Sequence, residues 1–112
     1  MARAAVTEPA ACTTMTEVRT GVDAVDAALI ALLSERFGYM RAAARIKAER
    51  SAVRDEPRKA AVIAHVVARG AAAGLPPGLA ATLWETLVEA SIAYELAMFD
   101  AATSSDHAAW RE

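Results

Sequence analysis

Two cations pose the first chemical question. Arg36 and Lys47 lie eleven residues apart in the stretch LLSERFGYMRAAARIKAER (32–50), which reads as helix from end to end. At about 100° per residue, eleven steps return to within roughly 20° of the start, so the two share a face, with Cα atoms about 16 Å apart. Apolar residues otherwise occupy that face. Two long side chains leaning toward each other could hold a small anion between them; alternatively, both snorkel to solvent from the edge of the stripe. Arg19, seventeen residues before Arg36, points about 100° away and sits roughly 25 Å off, so it cannot serve the same site from the same chain. A partner chain in an antiparallel dimer could deliver it. Further along, Ser91 and Glu95 are spaced i,i+4 on one face between Val88, Ile92 and Leu96, as members of a pocket or as a satisfied core pair. Asp55 and Arg58 stand at a helix start, where capping and surface charge are the plain alternative to binding.

These residues need elements to position them. The first helix is expected from Thr16 or Glu17 to about Glu49, with Thr16 as N-cap and Val18, Val22, Val25, Leu29, Leu32, Arg36, Met40, Ala43 and Lys47 recurring at spacings of three and four. RSAVRDEP (50–57) is a loop whose polar, proline-ended composition suggests a mobile lid. Pro57, tolerated in a first turn, opens a second helix to about Ala73, with Ala61, Val62, Ala64, His65 and Ala68 on its apolar side. Gly74 stops it, and GLPPGL (74–79) cannot continue a helix. A third helix follows from Pro77 or Gly78 to Ala102, burying Leu79, Leu83, Leu87, Ile92, Leu96 and Phe99. Residues 1–15 and 103–112 lack a sustained apolar period and read as tails around a helical domain at 16–102. A helix of about 33 residues is roughly 50 Å long, against a diameter of about 34 Å for a compact chain of this size. The first helix therefore overhangs, and a second copy is expected to cover its stripe as a homodimer.

Composition removes several function classes. The 112 residues are 55% hydrophobic, largely alanine, and 23% charged, with a net charge of −2. An all-α protein is expected, and the charge argues against general nucleic-acid or membrane-surface binding. No apolar run approaches the roughly 18 residues that span a bilayer, and the N-terminus lacks the core of a secretory signal, so the expected location is cytoplasmic. The single cysteine, Cys12, excludes an internal disulfide and reads as an unremarkable thiol. His65 and His107 have no ligand-type cluster near them and read as surface or packing residues; no metal or cofactor is expected.

The elements VRTGVDAVDAALIALLSER, IK, VRDEPRK and SIAYE, taken in succession, resemble the all-helical chorismate mutases, with similarity to the short subgroup that includes the isochorismate pyruvate lyases. The resemblance covers about residues 17 to 100. It implies a three-helix subunit with one very long first helix, intertwined as a homodimer with two equivalent sites. Each pocket would be lined by Arg36, Lys47, Asp55, Arg58, Ser91 and Glu95 of one subunit and Arg19 of the other. The substrate would be a small dicarboxylate, and the reaction the concerted rearrangement of chorismate to prephenate, which needs no nucleophile or metal. Arg19, Arg36 and Arg58 would grip carboxylates through their planar forks, while Lys47 donates to the ether oxygen.

Two positions depart from the commonest pattern of that family. Many members carry glutamine where this chain has Glu95, and a carboxylate can donate a hydrogen bond only when protonated. Typical mutases carry a glutamate, which accepts from the ring hydroxyl, where this chain has Lys59. The loop from Lys47 to Arg58 is one residue shorter than in typical mutases and matches the lyase length. Isochorismate pyruvate lyase and a mutase of 4-amino-4-deoxychorismate therefore stand as alternatives, and behind them a catalytically silent helical dimer.

Overall fold

The computed structural model describes residues 6–111, with side chains described to residue 103. His107 and the side chains of the expected C-terminal tail beyond residue 103 lie outside the described residues. The architecture is all-helical, with no strand among the described residues: α1 (Met15–Ile46), α2 (Glu56–Ala72) and α3 (Leu79–Arg111), with short 3-10 turns at Pro9–Ala11 and Arg50–Ala52. The expected class and the long first helix are both present. The chain divides into two compact units, Met1–Gly38 and Tyr39–Glu112, with the division falling inside α1.

In the first unit, α1 begins at a reciprocal cap. The Glu17 amide donates to Thr14 Oγ1 at 3.2 Å, and the Thr14 amide donates to the Glu17 carboxylate at 3.1 Å, a capping box that satisfies two otherwise orphaned donors. The cap is therefore Thr14, not Thr16; the reason is the partner three residues on, glutamate after Thr14 but Arg19 after Thr16. Amide donors from Thr13 and hydroxyls from Thr14 and Thr7 also reach Glu17, and together they hold its carboxyl below the ordinary value. Within the stretch read as a tail, the chain makes the Pro9–Ala11 turn, and Val6, Pro9, Val18, Val22 and Val25 line an apolar cavity of about 290 Å³. Along α1, Val22, Leu29, Ile30 and Leu32 each expose more than half of their surface in the single chain.

In the second unit, α2 and α3 pack antiparallel. The turn between them rests on Gly74 and Gly78, at φ 78° and 85°, a region glycine enters without steric cost. Just before it the helices come close enough that a Cβ on the buried Gly70 would stand 3.1 Å from the Ala80 Cβ. The core gathers Val53, Val88 and Ile92, with Val62, Trp84 and Leu96 packed against them. On α2 the inward stripe is Lys59, Val62, Ile63, Val66 and Gly70, whereas Ala61, Ala64, His65 and Ala68 are exposed. The expected apolar side was offset because small alanines dominate it, while the larger branched residues at three- and four-residue spacing take the core. On α3, Ile92 is buried and Leu87, Leu96 and Phe99 are half-buried, but Leu79 and Leu83 are exposed. α3 also runs on to Arg111 instead of ending at Ala102.

The link between α1 and α2 also departs from expectation. α1 closes with the Lys47 amide on the Ala43 carbonyl at 2.9 Å, and Glu49 is extended. Helix propensity would carry the lysine, alanine and glutamate onward, but the chain turns to bury Val53, which is only 4% exposed. The supposed mobile lid is tied down. Arg50 forks onto Asp100 at 2.9 and 3.3 Å, and Arg54 forks onto Glu89 at 2.7 and 3.0 Å.

The Arg54 guanidinium, with Lys59 beside it, lowers the Glu89 carboxyl from 4.5 to about 2. The folded state therefore keeps Glu89 ionised at pH values where the unfolded chain takes up a proton. The stabilisation is complete above the unfolded value and is lost as pH falls from about 4.5 toward 2. Asp100, lowered by Arg50, acts in the same direction. Urea midpoints should fall between pH 6 and pH 3, and Glu89→Gln should make that fall shallower; equal slopes for both proteins would show that Glu89 contributes nothing to it.

Candidate active site

The second unit places a cation and a carboxylate together in a largely dry setting. Lys47, the residue after the last of α1, sends Nζ to Glu95 Oε2 at 2.7 Å, with the Glu95 side chain 6% exposed and that of Lys47 29%. Glu95 stands on the same flank of α3 as Ser91, one turn earlier, itself buried, whose hydroxyl donates to the Leu87 carbonyl at 2.7 Å. That bond engages the Ser91 hydroxyl proton within α3. An ionised Glu95 so deeply buried would be costly without its lysine, and the short distance marks a charge-assisted bond.

At the start of α2, Asp55 is the N-cap and accepts the Arg58 amide at 2.9 Å. The cap fixes the first turn and so fixes where Arg58 begins; its exposed guanidinium makes no ion pair among the described residues. Neighbouring charges are all engaged. Lys59 Nζ, on a side chain 16% exposed, bonds both Glu85 and Glu89 at 2.7 Å, and these two carboxylates raise its pKa. Arg54 joins Glu89 and Glu56.

Of the seven residues singled out from sequence, Lys47, Ser91 and Glu95 come together, and Asp55 and Arg58 share one cap. Arg19 and Arg36 belong to the first unit, on α1, where Arg19 is exposed and Arg36 half-buried. The frame of Arg50, Arg54, Glu85, Glu89 and Asp100 was not anticipated. Its one sequence signal is the i,i+4 pair Glu85 and Glu89, an acidic face able to meet a basic segment. The bonds of Lys59 also explain why a lysine is tolerated there. Among the described residues no cluster of His, Cys, Asp and Glu could hold a metal ion.

The second unit thus holds a lysine–glutamate pair with a deeply buried carboxylate and, at the start of α2, an arginine with no ion pair among the described residues. The family model for chorismate mutase type II matches residues 18–96, a span that contains all seven residues, and the chain belongs to that family. No curated protein matches the chain. No helix among the described residues is long and apolar enough to cross a membrane.

Removing Lys47 leaves the Glu95 carboxylate buried with its cation gone. Lys47→Met should cost about 2 kcal/mol in urea unfolding at neutral pH, below the full value for a buried pair because Lys47 is partly solvated. Adding Glu95→Gln to it should recover most of that loss. A Lys47→Met protein as stable as the wild type would show that the pair carries no weight in folding.

Proposed function

We propose that the protein is a chorismate mutase, converting chorismate to prephenate without covalent intermediate. The observation that carries this reading is the Lys47–Glu95 pair, a lysine donating at 2.7 Å to a carboxylate on a buried flank of α3, in a chain of this family. The rearrangement breaks an ether C–O bond as a C–C bond forms, so it requires a compact substrate conformer and stabilisation of charge on the ether oxygen. Lys47 donates to that oxygen, and Glu95 joins it when protonated. Arg36 and Arg58 hold carboxylates, Asp55 sets the turn that carries Arg58, and Ser91 lines the floor.

The site is completed by a second copy. Arg19 of the partner subunit supplies another carboxylate contact, and the apolar face of α1, with Leu29, Ile30 and Leu32 exposed at 51%, 67% and 61%, is the surface on which two chains meet. A stripe of this kind left in water disfavours a monomer. Sedimentation equilibrium should give twice the chain mass, and Leu32→Glu should halve it and abolish turnover; a monomeric wild type would remove Arg19 from the site.

One observation favours a second reading, isochorismate pyruvate lyase or a mutase of the 4-amino analogue. Lys59 is locked between Glu85 and Glu89, so its position offers a ring hydroxyl no acceptor. The test is a side-by-side assay with chorismate and isochorismate at acid and neutral pH, with products identified by NMR. Prephenate is expected, with activity rising toward acid pH and a flatter profile for Glu95→Gln. Arg58→Ala should lower kcat/KM by about a hundredfold, the scale of a lost charge-assisted bidentate contact. Salicylate and pyruvate from isochorismate would establish the lyase instead, and an unchanged profile for Glu95→Gln would remove Glu95 as the donor.

A further inference from the structure

The carboxylates near the start of α2 are distributed in a particular way. Four acidic side chains, Asp55 and Glu56 at the start of α2 and Glu85 and Glu89 on α3, are each already engaged. Asp55 accepts the Arg58 amide. Glu56 accepts from Arg54, Glu85 from Lys59, and Glu89 from both Arg54 and Lys59. Glu89 is the joint of this lattice. Its two partners flank the capped segment on either side in sequence, Arg54 before Asp55 and Lys59 after Arg58, so one carboxylate on α3 clamps both ends of the stretch that carries Arg58.

The lattice stands apart from the Lys47–Glu95 pair. At about 100° per residue, Glu85 and Glu89 lie within roughly 40° of each other on α3, as do Ser91 and Glu95, and the two sets are about 120° apart. Val88 and Ile92 fall between them and form the buried strip. α2 is therefore gripped on one flank of the strip while Glu95 occupies the other. A strained or loose first turn of α2 would let Arg58 collapse onto Glu85 or Glu89, a neutralised pair with nothing left for a ligand. Arg54 and Lys59 already compensate those two carboxylates, which weakens their pull on a third cation.

From this arrangement we infer that Glu89 is a positioning residue: by binding Arg54 and Lys59 together it fixes the first turn of α2 and keeps the Arg58 guanidinium unpaired for an anionic substrate. The inference rests on the proposed function for the identity of that substrate, though not for the clamp itself. Glu89 touches no reacting atom; it acts through Arg58. Arg54 has the same standing, and the lattice is partly solvated, with Arg54 and Glu89 side chains 46% and 41% exposed. High salt should therefore weaken it.

The test joins a spectroscopic readout with kinetics, using the full chain and the variants Glu89→Gln, Arg54→Ala and Arg54→Lys. The side-chain Nε–Hε correlation of Arg58, assigned by its loss in Arg58→Lys, should move in Glu89→Gln and Arg54→Ala and stay near its wild-type position in Arg54→Lys, which keeps the charge. With chorismate, Glu89→Gln and Arg54→Ala should each raise KM by about tenfold with kcat within about twofold, the pattern of lost ground-state binding, and Arg54→Lys should keep KM near the wild-type value. A purely structural role would lower the melting temperature without this split. If Glu89→Gln does not fold, Arg54→Ala carries the same test, since Arg54 lies outside the core. An unmoved Arg58 signal overturns the inference whatever the activity, and so does an unchanged KM in a wild type that turns chorismate over. A moved signal in a protein that turns over neither substrate leaves the clamp standing and removes the proposed function.

Discussion

A carboxylate that keeps only 4% of its residue surface in water must be met by a cation or by several donors, and Glu95 is met by Lys47 at 2.7 Å. Much of the second unit follows from this demand. Lys47 has to arrive at the middle of α3 just as α1 ends, so the chain cannot continue as helix to Glu49. It must then return to the same helix to begin α2. The return is made by burying Val53 and by forking Arg50 onto Asp100 and Arg54 onto Glu89. The successive cations Lys47, Arg50 and Arg54, and then Lys59 in the first turn of α2, each find a carboxylate on α3.

This reliance on charge has its origin in composition. Alanine makes good helices but buries little area, and the cluster around Val53, Val88 and Ile92 contains few large side chains. Small residues let the helices approach, as at Gly70 and Ala80, yet close approach by itself does not select one register of α2 on α3. Ion pairs with defined geometry do so even where each is partly solvated and worth little in stability. The apolar area that the second unit lacks is present instead on α1, exposed along Leu29, Ile30 and Leu32.

The parts legible in sequence were those decided locally. Period, proline and glycine placed α1, α2 and the start of α3 to within a few residues, because α2 is bounded by Asp55 and Gly74 and α3 follows Gly78, whereas α3 runs past its expected end at Ala102 to Arg111. The capping box at Thr14 is equally local, since Glu17 follows it by three residues where Thr16 is followed by Arg19. Spacing also singled out Lys47, Ser91 and Glu95, since a face of a helix is a local property. Which face of α2 turns inward was not local: Ala61, Ala64 and His65 are as apolar or amphipathic as their neighbours, and only the larger side chains on the other side find partners on α3. The same holds for Glu89, whose bonds join residues thirty and thirty-five positions away. Nothing in its own neighbourhood marks it as different from any exposed glutamate.

The pair at the centre also constrains how the proposed reaction can run. Lys47 and Glu95 neutralise each other at 2.7 Å, so neither faces a ligand with its full charge. A substrate that enters between them must replace that bond, and an anionic one would meet the carboxylate of Glu95 as a like charge. A neutral donor in place of the carboxylate would remove the like charge and leave Lys47 able to donate to the same oxygen. A glutamine at that position would donate at any pH but would leave Lys47 without a counter-charge in the empty site. In the proposed reaction a glutamate there would therefore hold the lysine in place in the empty site, while presenting a like charge to an anionic substrate.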